Sequence, residues 1–340
     1  MERVKKLLFL GFFVLINLTI NRCTCKREPK IPLNEIDVEV KVQRFDRDLF
    51  SINTEKMQDE IGRLDAKYPS FFRLFTEGII GIGLPEQPEF ASYLNSFVTD
   101  NMVAEAYKDV QKTFPNTDEL NQTLTNAFKR YRYYFPSKPI PSVYGFVSGF
   151  NNSVVLADSM LGVGFDRYLG RDYPSYPRLG VYNYISYNMH PKKISSDLMR
   201  SWAIGEFHFN DSIDNLLNNM MYEGMLMYFT KRMLPDQPDS LIFGFSPDQM
   251  RWCQRNEKEM WSYMVEHKLL FNTDAFTIRK FVDDAPFTHN FPKESPGRAA
   301  VWIGYRIVNR YMNRNENVTL SELMEERDYQ KILNQSKYNP

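Results

Sequence analysis

Cysteine and histidine are both scarce in this sequence, and each shortage excludes a class of chemistry. Cys23 and Cys25 sit together near the amino terminus, which leaves Cys253 alone in the remainder. No disulfide can form within residues 26–340, and no Cys-x-x-Cys metal site exists. The four histidines are His190, His208, His267 and His289, and no two stand four residues apart. No helix can therefore turn two imidazoles toward one metal ion. A Gly-x-Ser-x-Gly nucleophile elbow is absent, and Cys253 lies in a Met- and Trp-flanked helical pattern that reads as core. An excess of charge is absent too, since 42 basic residues balance 42 acidic ones. With no basic block, helix-turn-helix or aromatic RNA-binding motif, nucleic acid is not an expected partner. Gly78 to Pro85 is glycine-rich, but no Lys-Ser or Lys-Thr follows it to make a phosphate loop. The sequence supplies no cofactor motif and no catalytic set.

One apolar run stands out, Leu7 to Ile20, and its fourteen residues fall short of a membrane span of ~20. It follows the basic start Met1-Glu-Arg-Val-Lys-Lys and precedes two cysteines, the layout of a secretory signal. A cysteine just after the apolar core predicts lipoprotein processing, with Cys23 acylated and Cys25 as the alternative. Small residues usually precede that cysteine, and here Asn21 and Arg22 stand in their place. Residues 1–22 then form the signal peptide and 23–36 a polar tether. Diacyl and amide-linked chains, palmitate among them, hold a protein stably on a membrane where one chain would not. The expected location is the cell envelope, facing the periplasm or the cell surface, with the outer membrane favoured.

The 26 phenylalanines and 20 tyrosines can furnish a sizeable core. Val38, Val40 and Val42 alternate as a strand does, and Arg44 to Phe50 turns into a short helix. Helical patterns run from Thr54 to Ile82, broken at Tyr68-Pro69-Ser70, and again over Pro88–Phe114 and Asn116–Phe135. Composition changes at Pro136-Ser-Lys-Pro-Ile-Pro141. The division predicted is a helical region 37–135 and an α+β region 136–340, or one continuous domain over 37–340. Val143–Gly149 and Ser153–Ala157 read as strands, Leu161–Gly170 as strand into helix, and Arg178–Met189 as helical. Lys192–Phe207 reads as a helix capped near Ser195-Ser196. Ser246 and Pro247 open a helix running to His267, and Arg298–Asn313 is amphipathic. The fold class expected is mainly α (α+β), with a small sheet and many helices.

The stretch from Asp211 to Phe229 predicts a long buried helix carrying one carboxylate, Glu223. Ile213, Leu216, Leu217, Met220, Met221, Gly224 and Met227 share one face, and Asp211 or Ser212 can cap the start. An ionised carboxylate amid that apolar face has to be paired, protonated or bound to metal. Glu223 is either a glutamate on the solvated edge of a core helix or the third ligand, or former ligand, of a zinc site. Arg200, one helix earlier, is a candidate ion-pair partner. The methionines 220, 221, 225, 227 and 233 follow the buried face and read mostly as core, as does the packing of Tyr182, Tyr184 and Tyr187.

Several segments together resemble the gliding-motility lipoprotein B (GldB) proteins of Bacteroidetes. They are the lipoprotein-like start, Val42-Gln-Arg-Phe-Asp-Arg-Asp-Leu-Phe50, Lys67-Tyr-Pro-Ser-Phe-Phe72, Asn219-Met-Met-Tyr-Glu-Gly224, and Pro296-Gly-Arg-Ala-Ala-Val-Trp-Ile-Gly-Tyr-Arg-Ile-Val-Asn-Arg-Tyr-Met312. The resemblance implies a lipid-anchored envelope protein that supports or assembles the gliding and associated secretion machinery. Its partners would be the membrane, through the lipid, and other envelope proteins of that machinery. The family is similar in turn to predicted zinc hydrolases of zincin-like fold, with a His-Glu-x-x-His helix followed by a helix containing Glu-Gly. Here Glu223 and Gly224 match the second helix, whereas Asp197 to Gly205, where the first should fall, holds no histidine. The body expected is therefore a degenerate zincin-like one without metal or cofactor, a pseudo-hydrolase. Glu223 would mark the former metal-ligand position, and Tyr222, Gly224, Met225, Arg200 and Trp202 a candidate groove. Two alternatives are a divergent zinc-dependent metallohydrolase, for example with the split set His190, His208 and Glu223, and a binder of envelope carbohydrate or peptidoglycan.

Overall fold

The alternation of Val38, Val40 and Val42 yields only a two-residue strand, β1 (Val42–Gln43), and the reason is its neighbour. The Val40 N–H donates to Thr125 Oγ1 at 3.0 Å and the Val42 N–H to Asn121 Oδ1 at 2.9 Å. Side chains of a helix thus occupy groups that another strand would otherwise pair. The computed structural model describes residues 31–340, and the acylation candidates Cys23 and Cys25 lie outside them. Among the described residues the fold is mainly helical with one small sheet. Residues Pro32–Pro340 form one compact unit.

After β1 come α1 (Phe45–Phe50), α2 (Met57–Lys67) and α3 (Pro69–Arg73), the last running into a π-helical turn at Leu74–Ile79. Next are α4 (Phe90–Thr99), α5 (Asn101–Thr113) and α6 (Asp118–Tyr134). The sheet is completed by β2 (Ser142–Phe146), β3 (Val154–Ala157) and β4 (Met160–Gly164), in the order β1-β2-β4-β3. β1 and β4 both run parallel to β2, with Val42 opposite Val143 and Val143 opposite Leu161; β3 is antiparallel to β4. The Pro136–Pro141 stretch thus lies between two strands of the same sheet.

The Arg44-Phe-Asp-Arg-Asp segment explains itself through packing. Phe45 is fully buried and meets Tyr68, Phe71 and Phe75 at ring distances of 5.3, 5.2 and 4.9 Å. Asp46, also fully buried, receives two bonds from Arg44, at 2.8 and 2.7 Å, and one from Gln111 at 3.0 Å. Arg47 donates to Gln111 and to the Pro115 carbonyl, both at 2.9 Å. A buried carboxylate matched by a forked guanidinium is a stable arrangement, and it staples α1 to the end of α5.

Beyond β4, the expected Arg178–Met189 helix is reduced to two single turns, α7 (Ser175–Arg178) and α8 (Asn183–Ser186). Then follow α9 (Ile194–Glu206), α10 (Leu216–Met233), α11 (Asp239–Phe243), α12 (Pro247–Arg255) and α13 (Glu257–Glu266). Ser246 caps α12 with a capping box and Pro247 at its first turn, but the helix stops at Asn256 instead of reaching His267. The chain ends with α14 (Ala275–Val282), α15 (Ala299–Arg314), α16 (Leu320–Glu325) and α17 (Tyr329–Ser336). The central helix begins later than its sequence period implies. Asn215 is the cap, accepting from the Asn218 N–H at 2.8 Å, and Ile213 is 59% exposed. The Leu216 and Leu217 N–H groups donate to the Asn272 and Leu270 carbonyls at 3.1 and 2.8 Å, so a distant segment satisfies the first turn.

One buried acid carries a pH signature. Asp166, fully buried, accepts from the Ser148 and Phe150 N–H groups at 3.0 and 2.7 Å and so fixes Phe150 at a left-handed φ of 70°. Burial pushes its carboxyl up to about 6 from the ordinary 3.8, against the opposing pull of those N–H donors. The folded state thus holds the proton more tightly than the unfolded chain. The resulting stability is fully present below pH 3.8 and is lost as pH rises through 6, with a magnitude of the order of 3 kcal/mol. Asp166→Asn is therefore expected to flatten the fall in melting temperature between pH 4 and 7. An unchanged slope in that variant would discard the assignment.

Candidate functional site

Helix α10 is buried on nearly every side, with thirteen of its eighteen residues inside the protein, so it is a core element and no mere amphipathic surface helix. Met220, Met221, Met225, Met227 and Met233 are each at most 1% exposed, and they are core. Its closest approach is to α15. A Cβ on Gly224 would stand 2.3 Å from the Gly304 carbonyl carbon, and one on Gly304 would stand 1.8 Å from the Met220 carbonyl oxygen. The two glycines bring backbone against backbone, which no larger residue permits.

Glu223, next to that crossing, faces α9. Arg200 Nη2 donates to both of its carboxylate oxygens, at 2.8 and 2.7 Å, and the two side chains are 28% and 19% exposed. Desolvation works against the guanidinium charge, but Glu223, with Asp197 and Asp284 further off, outweighs it and holds the arginine above its usual value. The candidate partner read from the sequence is the observed one. The proposed groove around the pair is differently made. Trp202 and Met225 are core residues 1% exposed, Gly224 is sealed by Gly304, and Tyr222 donates to the Phe207 carbonyl at 2.8 Å. Of that set, Arg200 lines an actual recess, of about 200 Å³.

The recess gathers charges from four separate segments: Arg167, then Lys193, Asp197 and Arg200, then Asp284, and Arg298. Lys193, only 6% exposed, bonds Asp197 and Ser196 at 2.8 and 3.0 Å and lies 3.4 Å from the Ile242 carbonyl. Tyr168 donates to the other Asp197 oxygen at 2.9 Å. Arg298 caps α15 in the left-handed region, φ 53°, a conformation that costs a non-glycine residue of order 1–3 kcal/mol. Buried Thr288 supports it by accepting from the Ala299 N–H at 2.9 Å and donating to the Pro296 carbonyl at 2.8 Å. Sequence reasoning passed over Arg167, Lys193 and Arg298. The signal that was there is the Lys193, Asp197, Arg200 spacing, a charged stripe at one-turn steps that starts at the cap of α9 and runs along one side of it.

The recess adjoins a groove of about 1390 Å³ with which it shares Tyr184, Asn188, Phe243, Asp284 and Arg298. Tyr182, Tyr184, Tyr187 and Trp252 contribute aromatic lining. Tyr182 is 65% exposed and stacks on Tyr184 at 5.6 Å with the planes 9° apart, so these tyrosines form a surface platform instead of core packing. Short turns, not a long helix, present them, which is why the period of the segment misleads.

His190 is half-buried, and desolvation followed by the Lys193 charge depresses its pKa. Cys253 is fully buried and its thiol is pushed up by that burial, the behaviour of an inert core cysteine. Among the described residues no group of three or more His, Cys, Asp and Glu side chains is placed to share a metal ion. The split set His190, His208 and Glu223 is thus not assembled there. No helix among the described residues is long and apolar enough to cross a membrane.

No curated protein and no solved structure matches the chain. One family model does, described as gliding motility protein GldB, a lipoprotein family by its label, and it extends over residues 24–340. With that match spanning nearly the full sequence, the chain belongs to the GldB gliding-motility family.

Proposed function

We propose that the protein is a lipid-anchored envelope component that acts in the gliding-motility and associated secretion machinery by binding, not by catalysis. Family membership supports the setting. The observation that carries the non-catalytic part is the Arg200–Glu223 pair: both carboxylate oxygens already accept from a fixed guanidinium. A divalent cation brought to that carboxylate would have to displace the arginine or sit against its charge, and either is unfavourable. On the zincin-like reading, Glu223 would be a former ligand position, and its ion pair with Arg200 supports that reading. Lipidation at Cys23, or at Cys25, would keep the body at the outer membrane, where its partners are other envelope proteins.

Metal content is the test. The full-length chain, purified in detergent without chelator, should contain no stoichiometric zinc by mass spectrometry, and Glu223→Gln should leave peptidase and esterase assays unchanged. One zinc per chain, lost in Glu223→Ala, would overturn the proposal in favour of a hydrolase.

A further inference from the structure

The charged recess holds more cation than its own carboxylates can satisfy. Four cationic side chains line it against Asp197 and Asp284, and Glu223, outside the lining, answers Arg200. One positive charge is left over. The contacts that hold the outer cations are long ones. Arg298 Nη1 lies 3.4 Å from Asp284, and Arg167 lies 3.3 Å from Ser153 Oγ and 3.4 Å from the Phe150 carbonyl. Hydrogen bonds of full strength from guanidinium to an oxygen are nearer 2.7–2.9 Å. The Nε atoms of Arg200 and Arg298 are buried with no partner among the described residues. Buried donors in this number without acceptors mark a place where an anion belongs. A solvated surface would not hold Arg298 with a side chain 14% exposed in a strained backbone.

The adjoining groove says what the anion is attached to. Tyr182 and Tyr184 offer a flat aromatic platform, with Trp252 also in the lining. Asn183 lines the same groove with a planar amide that can pair with vicinal hydroxyls, and Asp248, which Arg251 also contacts, adds a carboxylate. Aromatic faces with planar amides and carboxylates suit sugar rings, which have apolar C–H faces and hydroxyl edges. No strand borders the groove, so it offers no free sheet edge to an extended peptide. We infer that the recess and groove together bind an anionic saccharide, its phosphate or carboxylate seated between Arg167 and Arg298 and its ring on the Tyr182–Tyr184 platform.

Calorimetric titration of the full-length chain in detergent, at fixed ionic strength, tests this with glucose 6-phosphate, glucuronate, glucose, inorganic phosphate and the dipeptide Ala-Ala. At least one of the two anionic sugars should bind saturably, about tenfold or more tighter than glucose or phosphate alone. Which of the two binds separates a phosphate from a carboxylate ligand. Arg298→Gln and Arg167→Gln should each weaken that binding about tenfold, while Tyr184→Ala weakens the sugar anion and leaves inorganic phosphate unaffected. The unliganded melting temperature of each variant shows that it is folded, and having two separate arginine variants guards against the loss of either. Saturable binding that survives both arginine substitutions, preference for Ala-Ala, or no binding of either anionic sugar would overturn the assignment.

Discussion

Gly304→Ala is expected to leave little folded protein. Its new methyl group would lie 1.8 Å from the Met220 carbonyl oxygen, and the obstructing atom is backbone, so no rotamer change relieves it. Helices α10 and α15 would have to separate by more than an ångström across the middle of the core. Ordinary overpacking costs about 1–3 kcal/mol, and a clash with main chain in the central helix pair lies above that range, at roughly 4 kcal/mol or more. Natural stabilities are about 5–15 kcal/mol, so the variant should melt at least about 10 °C lower or fail to accumulate in soluble form. Gly224→Ala, with its Cβ 2.3 Å from Gly304, should behave alike. Gly62 supplies the control, because a Cβ there meets nothing within 4 Å on the exposed side of α2. Gly62→Ala should stabilise by up to about 1 kcal/mol through helix propensity alone. Thermal melts of the three variants decide the matter, and a Gly304→Ala protein melting within two or three degrees of wild type, on the order of 1 kcal/mol, would refute the close crossing.

The second large effect is expected at the ion pair, and it should be asymmetric. Arg200→Met strands Glu223 beside the core, whereas Glu223→Gln leaves Arg200 within the field of Asp197 and Asp284. Removing one member of a fully buried pair costs about 3–5 kcal/mol, and partial exposure of both side chains brings the arginine variant nearer 2–3. The glutamine variant should lose about 1 kcal/mol, the scale of one hydrogen bond. In a double-mutant cycle the two losses should fail to add, with a coupling of about 1–2 kcal/mol. Additive losses in urea unfolding would mean that the pair contributes nothing of its own.

What the sequence reveals and conceals here follows from how far each determinant reaches. The helix start at Ser246 and Pro247 is local, and it is where the sequence places it, with Gln249 completing a capping box there. The pairing of Glu223 with Arg200 could be read because a carboxylate on an apolar face demands a cation and a neighbouring helix offers one. The start of α10 could not. Asp211 and Ser212 are good caps, but the Leu270 and Asn272 carbonyls, more than fifty residues away, take the first N–H groups and move the boundary to Asn215. Periodicity showed one buried face of α10, because it cannot report that helices pack on the others as well. The recess was hidden for a simpler reason: Arg167, Lys193, Asp284 and Arg298 lie far apart in sequence and meet only in the fold.

The glycine crossing has a mechanical consequence. Where side chains interlock, a helix can shift by rotamer adjustment, but main chain in contact with main chain has no such compliance. Arg298 is six residues before Gly304, about 9 Å along the helix at 1.5 Å per residue, and Glu223 immediately precedes Gly224. The Arg298 side of the recess and the residue that anchors Arg200 are therefore clamped to the same rigid joint. A ligand or partner that pulls on Arg298 would move α10 and α15 as one body, carrying the load through the protein and not absorbing it locally.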